Sequence, residues 1–103
     1  MNIKYKCHYI TGADEEIDGG IWIKKETPKT ITFICIEKSF FAVNWDKIRV
    51  NKYHKGNKPA WKDEGDCILY ANNGNVIKDW KDGTYTIYPE QCGTPHIFEP
   101  IKE

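Results

Sequence analysis

From residue 3 to residue 9 the chain alternates, with Ile3, Tyr5, Cys7 and Tyr9 separated by Lys4, Lys6 and His8. A period of two belongs to a β-strand with one wet face, so the chain is expected to open on a strand. Residues 11–18 are polar and acidic, with Gly12, Asp14, Glu15 and Glu16, and read as a loop closed by Gly19-Gly20. Two β-rich runs follow, Gly20 to Glu26 and Thr30 to Glu37, and the short Thr27-Pro28-Lys29 link predicts that they pair as an antiparallel hairpin. In the second run both alternating sets are apolar or β-branched: Ile31, Phe33 and Cys35 on one side, Thr32, Ile34 and Ile36 on the other. A strand covered on both faces has this pattern, so it is the expected centre of the sheet, with Ile31 and Phe33 in the core.

The pattern lapses over residues 39–46, SFFAVNWD, where Ser39 could cap a single helical turn. Strand character returns from Lys47 to Lys55 and from Cys67 to Ala71. Asn72-Asn73-Gly74 marks a tight turn into Asn75 to Trp80, and Asp82-Gly83 a second turn into Thr84 to Tyr88. Pro95 and Pro100 make the segment from Gly93 to Ile101 an expected edge strand or extended strap, because proline cannot donate to a ladder. Seven or eight short strands with frequent turns predict an all-β fold with at most one short helix, a small antiparallel barrel or sandwich. With 103 residues there is room for one core, so the whole chain, 1–103, is expected to be one domain.

Charge narrows the list of partners. Fifteen basic and fifteen acidic side chains cancel, which disfavours long nucleic acid as a partner of the whole surface and confines any such role to a local patch. The opening residues lack the apolar run of a signal peptide, and no later run is long enough to span a bilayer, so the chain is expected in the cytoplasm with no membrane partner. Cys7, Cys35, Cys67 and Cys92 form no Cys-x-x-Cys pair and three of them sit in strand-like runs, so all four are expected as thiols. Cys92 and His96 are close in sequence but would need two distant ligands to hold zinc, and neither a metal nor any other cofactor is expected. No nucleophile elbow, phosphate-binding glycine loop, metalloprotease helix or deaminase signature is present, which gives no ground for a catalytic residue.

One stretch combines charge and aromatic surface without a local acid. Lys52 to Lys62, KYHKGNKPAWK, contains Lys52, His54, Lys55, Lys58 and Lys62 beside Tyr53 and Trp61. Lysines neutralise phosphate and an exposed ring stacks on a base, so these seven residues are the candidate site for a small anionic nucleotide. The competing reading is a solvated loop whose Trp61 folds back onto the core. Trp22, Trp45, Trp61 and Trp80, with six tyrosines and four phenylalanines, exceed what a small core needs if some lie in loops, and a pocket or interface would employ the remainder.

The hairpin WIKKETPKTITF, the ending GTYTIYPEQCGTPHIFEP and the lysine- and isoleucine-rich composition resemble small proteins carried by bacteriophages and mobile elements. The resemblance is one of general character and carries no site residue across. It implies a non-enzymatic counter-defence protein acting by stoichiometric binding in the host cytoplasm, either sequestering a phosphorylated nucleotide signal or, alternatively, inhibiting a host nuclease or defence effector. A small enzyme or a housekeeping structural domain ranks below both, and a homo-oligomer is compatible with either.

Overall fold

The computed structural model describes residues 3–10, 13–38, 47–72, 75–88 and 94–101. These form eleven strands and, among the described residues, no helix: β1 (Lys4–Ile10), β2 (Glu16–Glu26), β3 (Thr30–Glu37), β4 (Lys47–Asn51), β5 (Tyr53–His54), β6 (Lys58–Pro59), β7 (Trp61–Asp63), β8 (Ile68–Asn72), β9 (Asn75–Asp79), β10 (Tyr85–Tyr88) and β11 (His96–Pro100). Nine of them build one antiparallel sheet in the order β4-β3-β2-β1-β11-β10-β9-β8-β7, and β5 pairs with β6 in a separate ribbon. The large sheet curls into a half-barrel. Its inward side chains form one core, including Tyr5, Trp22, Phe33, Val50, Tyr70, Ile77, Ile87 and Phe98. Aromatic contacts knit the centre, Phe33 meeting Tyr85 edge-on at 5.3 Å and Phe98 in a tilted contact at 4.7 Å, ring centre to ring centre.

The predicted β2–β3 hairpin is present, with Glu26 opposite Ile31 and Lys24 opposite Phe33. Thr27 shapes its turn, accepting at Oγ1 from the backbone of Thr30 and donating its own amide to the Thr30 carbonyl, both at 2.9 Å. Ile31 and Phe33 are buried, whereas Ile34 is only half-covered and Ile36 is exposed. The run is therefore not covered on both faces. β3 lies second from an edge, and its all-apolar appearance comes from a partly solvated outer row of isoleucines.

The middle of the nine strands is β11, the segment expected at an edge. It pairs with β1 on one side, Cys7 opposite Phe98, and with β10 on the other, Ile87 opposite His96. Its prolines allow this because neither interrupts the strand: Pro95 precedes it, and Pro100 lies beyond the last β10 pair, Tyr85 with Phe98. The ladder resumes at once, Ile101 donating to the Lys4 carbonyl at 2.9 Å.

Two further segments depart from expectation. Glu16 to Asp18, read as loop, belongs to β2, and Gly19-Gly20 lie inside that strand at a bulge, where the pairing with β1 shifts between Lys6 and His8. Gly20 has φ +91°, and a Cβ on Gly19 would stand 2.6 Å from the Cys7 sulfur, so both glycines are required by the bulge and not by a turn. The expected strand from Lys47 to Lys55 breaks at Lys52, and the segment up to residue 63 divides into three short strands, which raises the count above eight. The helical turn considered for 39–46 and the centre of the Asn72-Asn73-Gly74 turn lie outside the described residues. The second turn is as expected: Lys81 and Gly83 adopt positive φ, and the Asp79 and Asp82 carboxylates each accept a backbone N–H two residues on, both at 2.9 Å.

Candidate functional site

The two ends of the curled sheet meet at a seam, and the basic-aromatic segment grows from it. Lys52 donates its amide to the Lys29 carbonyl at 2.7 Å, Ala60 donates to the Lys52 carbonyl at 2.8 Å, and the Ala60 carbonyl accepts from Ala71 at 3.2 Å. Buried Ala60 thereby ties the end of β4 to β8. Between these ties the chain projects as the β5–β6 ribbon, with Tyr53 opposite Pro59 and His54 opposite Lys58. Gly56 and Asn57, both at positive φ, turn it, and Asn57 donates back to the His54 carbonyl at 3.1 Å.

The structure separates the seven candidate residues into two groups. His54, Lys55, Lys58 and Lys62 are exposed, as are Tyr53 and Trp61, 39% and 41% accessible. Trp61 is not part of the buried core, which decides against the reading in which it folds back. It pairs across β7–β8 with Tyr70 at the rim of the half-barrel. Among the described residues Lys55, Lys58 and Lys62 make no ion pair. Lys52 does not belong with them: its Nζ is engaged by the Glu26 carboxylate, so it anchors the ribbon instead of offering a free cation.

That anchor leads to a cluster that sequence reasoning missed. Lys24 projects from the inward row of β2 and donates to the Tyr85 hydroxyl at 2.8 Å, with its Nζ 4.8 Å from the Tyr85 ring centre and 3.3 Å from Glu26 Oε1. Desolvation works against the Lys24 charge, but the hydrogen bond to Tyr85 and the negative potential of its neighbours outweigh it and hold the ammonium protonated above the ordinary lysine range. Burial would raise the Glu26 carboxyl, yet the Lys52 hydrogen bond and the two cations bring it below its ordinary value. Burial pushes the Tyr70 and Tyr85 phenols up, so both stay neutral. The signal was available in the period: Trp22, Lys24 and Glu26 share one face, so an inward Trp22 turns two charges toward the interior. Two ammonium groups share the one Glu26 carboxylate, Lys24 is held in addition by the Tyr85 hydroxyl and ring, and the geometry is that of an internal support.

Cys7 and Cys67 are buried and Cys35 is half-buried, all as free thiols, while Cys92 lies outside the described residues. Burial, with smaller contributions from Cys35 and Asp18, pushes the Cys7 thiol up to about 12, which removes its nucleophilic form at neutral pH. Among the described residues no three of His, Cys, Asp and Glu are grouped to hold a metal. His96 sits in the core, stacked on Tyr9 with 4.7 Å between ring centres, and burial lowers its pKa. No protein-family model, curated protein or solved structure matches the chain, so the geometry of the site stands without a relative.

Proposed function

We propose that the protein is a non-enzymatic binding module of counter-defence type that sequesters a small phosphorylated nucleotide on the β5–β6 ribbon and the adjoining strand β7. The observation that supports this reading is the coincidence of two exposed rings, Tyr53 and Trp61, with three exposed lysines that have no acid partner among the described residues. Lys55, Lys58 and Lys62 supply attraction to phosphate, and the Trp61 face supplies stacking worth about 1–3 kcal/mol per base. Lys52 contributes indirectly, by fixing the foot of the ribbon to Glu26.

Calorimetric titration of cyclic and linear nucleotides tests this. Trp61→Ala is expected to weaken binding roughly ten- to a hundredfold at every salt concentration, and Trp61→Phe to retain most of the affinity. Lys55→Ala/Lys58→Ala should remove most of the salt-dependent part. Thermal melts of each variant separate lost affinity from lost fold. If the wild type binds no nucleotide at high micromolar concentration, the sequestering reading is abandoned, and a pull-down for a host defence protein becomes the informative experiment.

A further inference from the structure

The chain is neutral overall, yet its charges are sorted by the fold. On the outer face of β1–β4 the cross-strand neighbours form rows: Lys4 beside Ile23, Ile23 beside Ile34, Ile34 beside Lys47; and Lys25 beside Thr32, Thr32 beside Arg49. Lys6 stands opposite Ile21 on the same face. Lys4, Lys6, Lys25, Lys47 and Arg49 are all exposed, and none makes an ion pair among the described residues. Two acids close the Lys6 row, Glu37 opposite Ile21 and Glu99 opposite Lys6, and Glu99 also lies 3.9 Å from His8. None of these five cations belongs to the stretch from Lys52 to Lys62, and they come together only because four strands align.

Their layout has a second property. The outer strands β1 and β4 carry Lys4, Lys6, Lys47 and Arg49, while the inner strands β2 and β3 carry Ile21, Ile23 and Ile34 beside Lys25, Thr32 and Glu37. At about 4.8 Å per strand the two cationic columns stand roughly 14 Å apart, with an aliphatic floor between them. Ile36, 45% accessible, continues that floor along β3, and Ile101, 39% accessible and hydrogen-bonded to Lys4, adds aliphatic surface on the β11 side of the β1 column. We infer that this face docks on an anionic lipid bilayer, with lysines and arginine at the headgroups and isoleucines against the acyl boundary. A two-dimensional spread of cations around aliphatic side chains complements a charged sheet of lipid. A nucleic-acid strand would instead call for a continuous cationic track with stacking rings, and the exposed rings among the described residues lie outside β1–β4, Tyr53 on the β5–β6 ribbon and Trp61 on β7. Attachment of this kind is peripheral and independent of the nucleotide reading.

Co-sedimentation of the full chain with vesicles of phosphatidylcholine alone, and of phosphatidylcholine with phosphatidylglycerol, tests the inference. Binding should require phosphatidylglycerol and weaken with salt. Each cation contributes about 1 kcal/mol, so Lys4→Gln/Lys47→Gln/Arg49→Gln should bind roughly a hundredfold more weakly. Ile36→Ser/Ile101→Ser should weaken binding without altering its salt dependence, and Lys55→Ala/Lys58→Ala should leave it unchanged. Circular dichroism verifies the fold of each variant, and Lys25→Gln/Arg49→Gln carries the same test if the triple variant does not fold. Equal binding to both vesicles, indifference of the folded cation variants, or tighter binding of single-stranded or duplex oligonucleotides at the same salt would overturn the assignment.

Discussion

Lys24 and Lys55 are the same side chain in two regions that treat it in opposite ways. In the half-barrel Lys24 is surrounded by Tyr5, Tyr85 and Glu26, and its charge is already engaged before any ligand arrives. On the projection Lys55 lies in a turn held by Gly56 and Asn57, exposed and without an ion pair among the described residues. A charge already compensated stabilises a fold, whereas an uncompensated one is available to a partner. The contrast predicts that substitutions in the interior change stability and those on the projection change binding.

The largest effect belongs to the interior. Phe33 is fully buried among Tyr5, Tyr85 and Phe98, so Phe33→Ala should cost about 3–5 kcal/mol in denaturant unfolding, the range of a large-to-small core change. A loss below about 1 kcal/mol would mean that the aromatic contacts of Phe33 do not carry the core.

Next comes the interior charge. Lys24→Met keeps the stem but removes the donor to Tyr85 and one partner of Glu26, and it should cost about 1–2 kcal/mol in the same experiment. A gain in stability would show that the desolvation of Lys24 exceeds the return from its contacts, as it does for some buried ion pairs.

Local chemistry was readable from the sequence; position in the sheet was not. Thr27-Pro28-Lys29 announced the β2–β3 hairpin because a turn is decided by its own few residues. The basic-aromatic stretch was visible for the same reason. The place of β11 at the centre depends on β1 and β10, distant in sequence, and its prolines suggested an edge although Pro95 precedes the strand and Pro100 is its last residue, beyond the β10 pairing. The outer cationic face is non-local in the same sense, since Lys4, Lys25 and Arg49 become neighbours only through strand order. Lys52 shows the limit of composition: it belongs to the basic run in sequence and to Glu26 in space.

The Glu26 ion pairs give the comparison a pH axis. Its carboxyl is depressed in the fold, so the associated stability is present above the unfolded glutamate value of about 4.5 and is lost as pH falls through the folded value. The Glu26 side chain is 38% accessible, and the effect should stay near the 0.2–1 kcal/mol of an exposed pair, at about that order. Unfolding midpoints of wild type and Glu26→Gln should differ at neutral pH and converge in acid. Parallel curves at all pH values would remove Glu26 from the account of the seam.

The smallest expected change in stability is on the β5–β6 ribbon and the adjoining β7, and it sharpens the contrast most. Lys55, Lys58 and Lys62 are exposed and unpaired among the described residues, so Lys55→Ala/Lys58→Ala/Lys62→Ala deletes no packing and strands no buried partner. Surface substitutions of this kind shift stability by no more than about 0.5 kcal/mol each. The hydrogen bonds that shape the ribbon run from Asn57 to His54 and from Ala60 to Lys52 through the backbone, so they survive truncation of these side chains. Thermal melts should therefore overlay the wild type, while the salt-dependent part of nucleotide affinity disappears. A clear fall in melting temperature would mean that the three lysines support the fold as Lys24 does, and the division between a compensated interior and an available projection would not hold.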